Sequence, residues 1–226
     1  MTNNELKRIE AGLDRVFAGE HFDWKRKKIP AKSLRDRLVA PNAQDSQHSI
    51  SVLNARIEGD LILDEIGEAS PPLSLQILRC ELSNFRARSS SWRQLVIANS
   101  KLEAVDLTQS RFDRSLVIEG CNVLGWLAIQ ECRIAGSVAI SGSSFSGNGD
   151  RDAISGYNTT VDGNFTARDM VIHGCFSASR LTVSGNLMLD GSSFNHQVGT
   201  TLPKALDLSR AKIEGALQLA PGKTRF

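Results

Sequence analysis

Val123-Leu124-Gly125-Trp126-Leu127-Ala128-Ile129 is followed, eleven residues on, by Ile134-Ala135-Gly136-Ser137-Val138-Ala139-Ile140. Both have the form apolar-x-Gly-x-apolar-x-apolar. The form is already present at Ile57-Glu58-Gly59-Asp60-Leu61-Ile62-Leu63, and it returns at Val161, Ile172, Val183 and Ile213. A helix would space its apolar residues by three and four, and an isolated strand would alternate only briefly. A fixed longer period means a stack of equivalent units.

Upstream the period is five. Leu82, Ala87, Trp92, Ile97, Leu102, Leu107 and Phe112 form one series, and Cys80, Phe85, Ser90, Leu95, Ser100, Val105 and Ser110 lead it by two. After Phe112 two fives plus one make eleven. The apolar residues at +4 and +6 read as inward positions of a short strand. The glycines at +2 (Gly59, Gly125, Gly136, Gly163, Gly174, Gly185, Gly215) fit turns between faces, where positive φ or close packing is needed. Two eleven-residue units then make one four-sided coil. About 150 residues of coil at the spacing of neighbouring strands give about seven turns, a rod on the order of 35 Å long.

The fives from Cys80 to Phe112, and elevens such as Ser115-Leu-Val-Ile-Glu-Gly-Cys121 and Leu206-Asp-Leu-Ser-Arg-Ala-Lys-Ile-Glu-Gly215, resemble the pentapeptide-repeat family and its elongated-repeat relatives. The likeness covers about residues 50–220. It implies an all-β solenoid, a right-handed quadrilateral β-helix. Relatives in this group often carry the label membrane-associated oxidoreductase, and some pentapeptide-repeat proteins act as DNA mimics on type II topoisomerases. The sequence itself has no Gly-rich dinucleotide loop after a strand and no apolar run long enough to span a membrane. A topoisomerase mimic would need an extended acidic face.

Residues 1–49 differ from the rest and are expected to form a helical N-terminal cap and linker, with the β-helix over 50–226. Leu6, Ile9, Leu13, Val16 and Phe17 share one face of a helix over 4–18, and Leu34 and Leu38 mark a second over 32–39. These 49 residues hold ten Lys or Arg against seven Asp or Glu. The whole chain of 226 residues has 27 basic and 25 acidic side chains, a net charge of +2. The remainder is therefore nearly neutral, which argues against nucleic-acid steering. Cys80, Cys121, Cys132 and Cys175 form no CxxC pair. The first two and Cys132 fit small corner positions, and Cys175 is expected to face outward or into a turn. With no secretory signal read at the N-terminus, a reduced, cytoplasmic protein is the expectation.

Two insertions interrupt the register, each after Gly-Ser-Ser-Phe, near 146–157 and 195–204. Loops on a rigid scaffold are favoured recognition sites. The candidate partner contacts are therefore Asp150, Arg151 and Asp152 in the first insertion and His196 and Gln197 in the second. Trp126, next to Gly125, is expected to be exposed on a flat β face. Lys25, Arg26, Lys27 and Lys28 form a candidate basic patch beside Trp24, itself an anchor for the cap. No catalytic, cofactor or metal constellation is legible. The expected function is a non-enzymatic scaffold for an unidentified partner protein. The alternatives are the topoisomerase mimic, a rod that self-assembles through its ends, and a disfavoured oxidoreductase.

Overall fold

The computed structural model describes residues 2–40, 49–67, 72–147, 151–195 and 204–220. They form a β-solenoid of about six turns, with every strand pairing parallel to its neighbours in the turns before and after. Four columns of inward side chains mark its four faces. Ile57, Leu82, Leu102, Val123 and Phe145 stack on the first, and Leu61, Phe85, Val105, Leu127, Ile154 and Phe176 on the second. Trp92, Phe112, Ile134, Val161 and Val183 stack on the third. Leu75, Leu95, Leu116, Val138, Phe165 and Leu187 stack on the fourth. The third and fourth faces are one sheet, because the long strand Ser91–Ala98 runs across both.

Coil length follows the sequence period. Cys80 and Ser100 are neighbours across a step of 20, and Cys121 and Ser143 across one of 22. The two insertions lengthen single coils to 27, between Ser137 and Asn164, and to 30, between Asn186 and Ala216. The register resumes beyond each insertion, so the core columns are unbroken.

Two kinds of corner join the faces. Between the fourth and first faces one residue per coil takes a left-handed conformation: Asn54, Arg79, Asn99, Gly120, Gly142, Asp169 and Gly191. Between the second and third faces Glu65, Ser89, Gln109, Glu131, Asn158, Arg180 and Arg210 do the same. Where Ser, Cys or Thr follows, it turns inward and donates to a carbonyl of the coil before. Ser100 Oγ reaches Ile77 O at 3.4 Å, Ser110 Oγ reaches Ala87 O at 2.6 Å, and Cys132 Sγ reaches Leu107 O at 2.9 Å. This explains why Cys, Ser and Thr recur at these places: each satisfies a buried carbonyl that the tight turn leaves open.

The repeating glycines serve the other two corners. Gly59 and Gly174 have positive φ, whereas Gly125, Gly136, Gly163, Gly185 and Gly215 do not. Those five allow close approach. An added Cβ on Gly163 would come within 2.8 Å of Gly136 O, and one on Gly215 within 2.6 Å of Gly185 O.

The helices are α1 (Asn3–Phe17) and α2 (Ala31–Leu38). Thr2 caps α1: its Oγ1 accepts from Glu5 N at 3.3 Å, and its own N–H donates to Glu5 Oε2 at 2.6 Å. Ile9, Leu13 and Val16 of α1 and Ala31, Leu34 and Leu38 of α2 are buried over the open end of the first coil. Arg37 ties the helices, reaching Glu10 at 3.0 Å and Asp14 at 2.6 Å. Trp24, 1% exposed, stacks edge-on against Phe22 and anchors the cap. The solenoid begins earlier than the sequence period does. Lys28–Pro30 is already a strand, pairing Lys28 with Arg56. Among the described residues no helix is long and apolar enough to cross a membrane.

Candidate functional site

Polar chemistry concentrates on the outside of the second face. The residue after each inward one points outward, and register aligns these residues in a row: Ile62, Arg86, Asp106, Ala128, Ser155, Ser177 and Asp207. Trp126 precedes inward Leu127, so it stands in the adjoining outward row, one coil beyond Ala104. The alanines leave a shallow floor beside the indole. Ala104 and Ala128 are themselves buried although they point away from the core.

Trp126 is half-buried rather than exposed, a correction to the flat, open placement the sequence suggested. The cause is the first insertion. Arg151 lays its guanidinium over the indole, 5.2 Å from the ring centroid. The insertion closes on itself here: a Cβ on Gly147 would come within 2.7 Å of Arg151 O. Asp152 follows and is half-buried on the same face. Trp126, expected on a β face, and Arg151 and Asp152, expected in the first insertion, therefore share one site.

Their neighbours were not singled out by sequence. Arg88 pairs with Asp106, which is 4% exposed and also accepts from Thr108 N at 3.2 Å and Thr108 Oγ1 at 2.7 Å. Arg86 pairs with Asp64 at 2.8 Å, and its Nε is buried with no partner among the described residues. Gln130 donates to Ser155. A groove of about 360 Å³ is lined by Arg88, Asp106, Trp126, Gln130, Arg151, Asp152 and Ser155. A second of about 240 Å³ adjoins it through Arg88, Asp106 and Trp126 and runs to Asp60 and Arg86. Signs alternate along it, so it suits a ligand with both donors and acceptors.

Burial pushes the Asp152 carboxyl up from its ordinary range, against hydrogen bonds from Cys175 and Ser177 that lower it. Cys175 faces outward as expected, yet it is not open to solvent. It lies on the same outward face but is 5% exposed, because Asp152 covers it. Burial first and the Asp152 carboxylate second push its thiol up to about 12. Such a thiol stays protonated and is a poor nucleophile.

The other sequence candidates lie elsewhere. Asp150, His196 and Gln197 are outside the described residues. The basic run is a tight turn at the corner between the fourth and first faces, with Lys25 and Arg26 both at positive φ. Arg26 N donates to Asn54 O at 2.6 Å, and Lys28 pairs with Glu58 at 2.5 Å. Among the described residues no group of three or more His, Cys, Asp or Glu side chains is gathered to hold a metal ion. No protein-family model matches the chain, and neither a curated protein nor a solved structure matches it.

Proposed function

We propose that the protein is a non-catalytic scaffold that binds a partner protein across the second face, with Trp126 at the centre. The observation that carries this reading is the indole held under Arg151 between two adjoining grooves. The ring and the paired ions beside it are fixed by a stacked sheet, which lowers the ordering cost of binding. Trp and Arg are among the residue types that dominate binding energy at protein interfaces. The mixed signs along the groove fit a protein surface better than a mimic of polyanionic DNA. Coils of twenty residues between Cys80 and Ser110 support placing the chain with the pentapeptide-repeat group.

A tagged capture from native lysate, run beside the variant Trp126→Ala/Arg151→Ala, tests the reading. A partner held by the intact protein and lost by a folded variant is the expected result. Equal capture by both removes the second face from the interaction.

A second reading is self-association through the last described coil, where Leu217 and Leu219 are 45% and 52% exposed. A mass that rises with protein concentration and is reset by Leu217→Lys supports it.

A further inference from the structure

The corner between the fourth and first faces builds a second surface, distant in the fold from Trp126. Arg26, Asn54, Arg79 and Asn99 stack there coil on coil, all with positive φ. The amide of each donates to the next coil: Arg26 to Asn54 O, Asn54 to Leu78 O, Arg79 to Ala98 O. Two residues further along each turn, Arg56, Glu81 and Lys101 stack in register. Between these columns Ala55, Cys80 and Ser100 turn inward and are buried. The result is a channel parallel to the stack, of about 560 Å³, with two polar walls and a floor of small residues.

Its charge is one-sided. Among the described residues Arg26, Arg56, Arg79 and Lys101 line it against one carboxylate, Glu81. Glu81 is shared by Arg56 at 3.1 Å and Arg26 at 4.0 Å. Among the described residues no carboxylate lies within ion-pair distance of Arg79 or Lys101. The basic stretch is bounded, because Gly120 and Gly142 take the next two corner positions and Asp169 the one after.

We propose that this channel docks an extended acidic segment of a partner protein. On each wall the cations recur every second coil, Arg26 to Arg79 and Arg56 to Lys101. That is about 9.6 Å, close to the rise of three residues of extended chain. A segment with acidic residues at i and i+3 meets successive cations on one wall. The amide of Asn99 both donates and accepts, as peptide groups require and phosphates do not, while Asn54 Nδ2 is held by Asp23 Oδ1 at 3.1 Å. Among the described residues no aromatic side chain lines the channel, so a single-stranded nucleic acid finds no stacking platform there. The surface is independent of the second face.

The test uses the full chain and a fluorescein-labelled peptide of repeating Glu-Ser-Ser, followed by anisotropy. A Lys-Ser-Ser peptide and an oligothymidylate are run alongside. Binding of the acidic peptide that weakens with added salt is expected. Arg79→Asn/Lys101→Asn should weaken it by about tenfold or more, as loss of two charge-assisted contacts does. Asn already occupies these columns at Asn54, Asn99 and Asn122, so the variant keeps the fold. Trp126→Ala should leave this binding unchanged. No acidic-peptide binding at low salt, or binding indifferent to the double variant, overturns the proposal. Tighter binding of the oligothymidylate overturns the choice of partner.

Discussion

The amide of Gly185 donates to the carbonyl of Gly163 at 3.0 Å, and a Cβ on Gly185 would sit 2.7 Å from that same oxygen. The corner closes only because neither residue has a side chain. Gly185→Ala should therefore destabilise by about 1–3 kcal/mol, the range for overpacking a close contact. Gly142 is different. Its φ is +64°, and the nearest atom to an added Cβ is 3.9 Å away. Asn holds the same conformation two and four coils earlier, at Asn99 and Asn54. Gly142→Asn should cost less than about 1 kcal/mol. Urea denaturation of both variants checks the contrast, and equal losses would contradict it.

These two glycines also mark what the sequence could not convey. The fives and elevens show which residues turn inward, and Phe85, Trp92, Phe112 and Phe145 are buried in their columns. The coil corners were legible only in part. Positive φ was sought at glycine, yet Arg79, Gln109, Glu131 and Arg180 carry it, residue types that give no local signal. Stacking between coils imposes their conformation. At the candidate site, the row of Arg86 and Asp106 was readable from a period of twenty. The cover over Trp126 was not, because Arg151 arrives from an insertion outside the repeat.

Burial pushes all four thiols up, Cys121 to about 11 and Cys132 to about 12. None should react with a chromogenic disulfide reagent at pH 8 in the native state, and all four should react in denaturant. A native thiol titrating at once would contradict the burial.

The same shifts set an alkaline limit. A thiol raised in the folded state keeps its proton while the unfolded chain, near 9, loses it. Their contribution is complete below pH 9 and is lost as pH rises toward 11 and 12. Stability measured by denaturant should fall across that window. Cys132→Ser should lessen the fall, since Ser90 and Ser110 hold the same place in earlier coils.

Trp92 is fully buried and its indole N–H has no partner among the described residues. Phe112 fills the same column one coil later. Trp92→Phe trades lost packing against removal of an unsatisfied donor and should cost no more than about 1 kcal/mol. Trp92→Ala should cost about 3–5 kcal/mol. Thermal or urea melts of the pair measure the difference.

Of the three tryptophans, Trp24 and Trp92 are buried at 1% and 0% exposure and Trp126 is half-buried. Acrylamide quenching of the native protein should therefore report Trp126. Arg151→Ala should raise the quenching by uncovering the ring, with a stability change of only about 0.5–1 kcal/mol. Trp126→Phe should abolish most of it. Quenching unchanged by Arg151→Ala would mean the guanidinium does not shield the indole.

In the backbone ladder each coil pairs with its predecessor and its successor, at separations of 20 to 30 residues. Distance along the chain thus never grows with the size of the solenoid. A ribosome extending this polypeptide releases every new layer onto one already laid down, with the cap helices emerging ahead of the coils as a template. Assembly can keep pace with translation, and no strand has to wait for a distant mate.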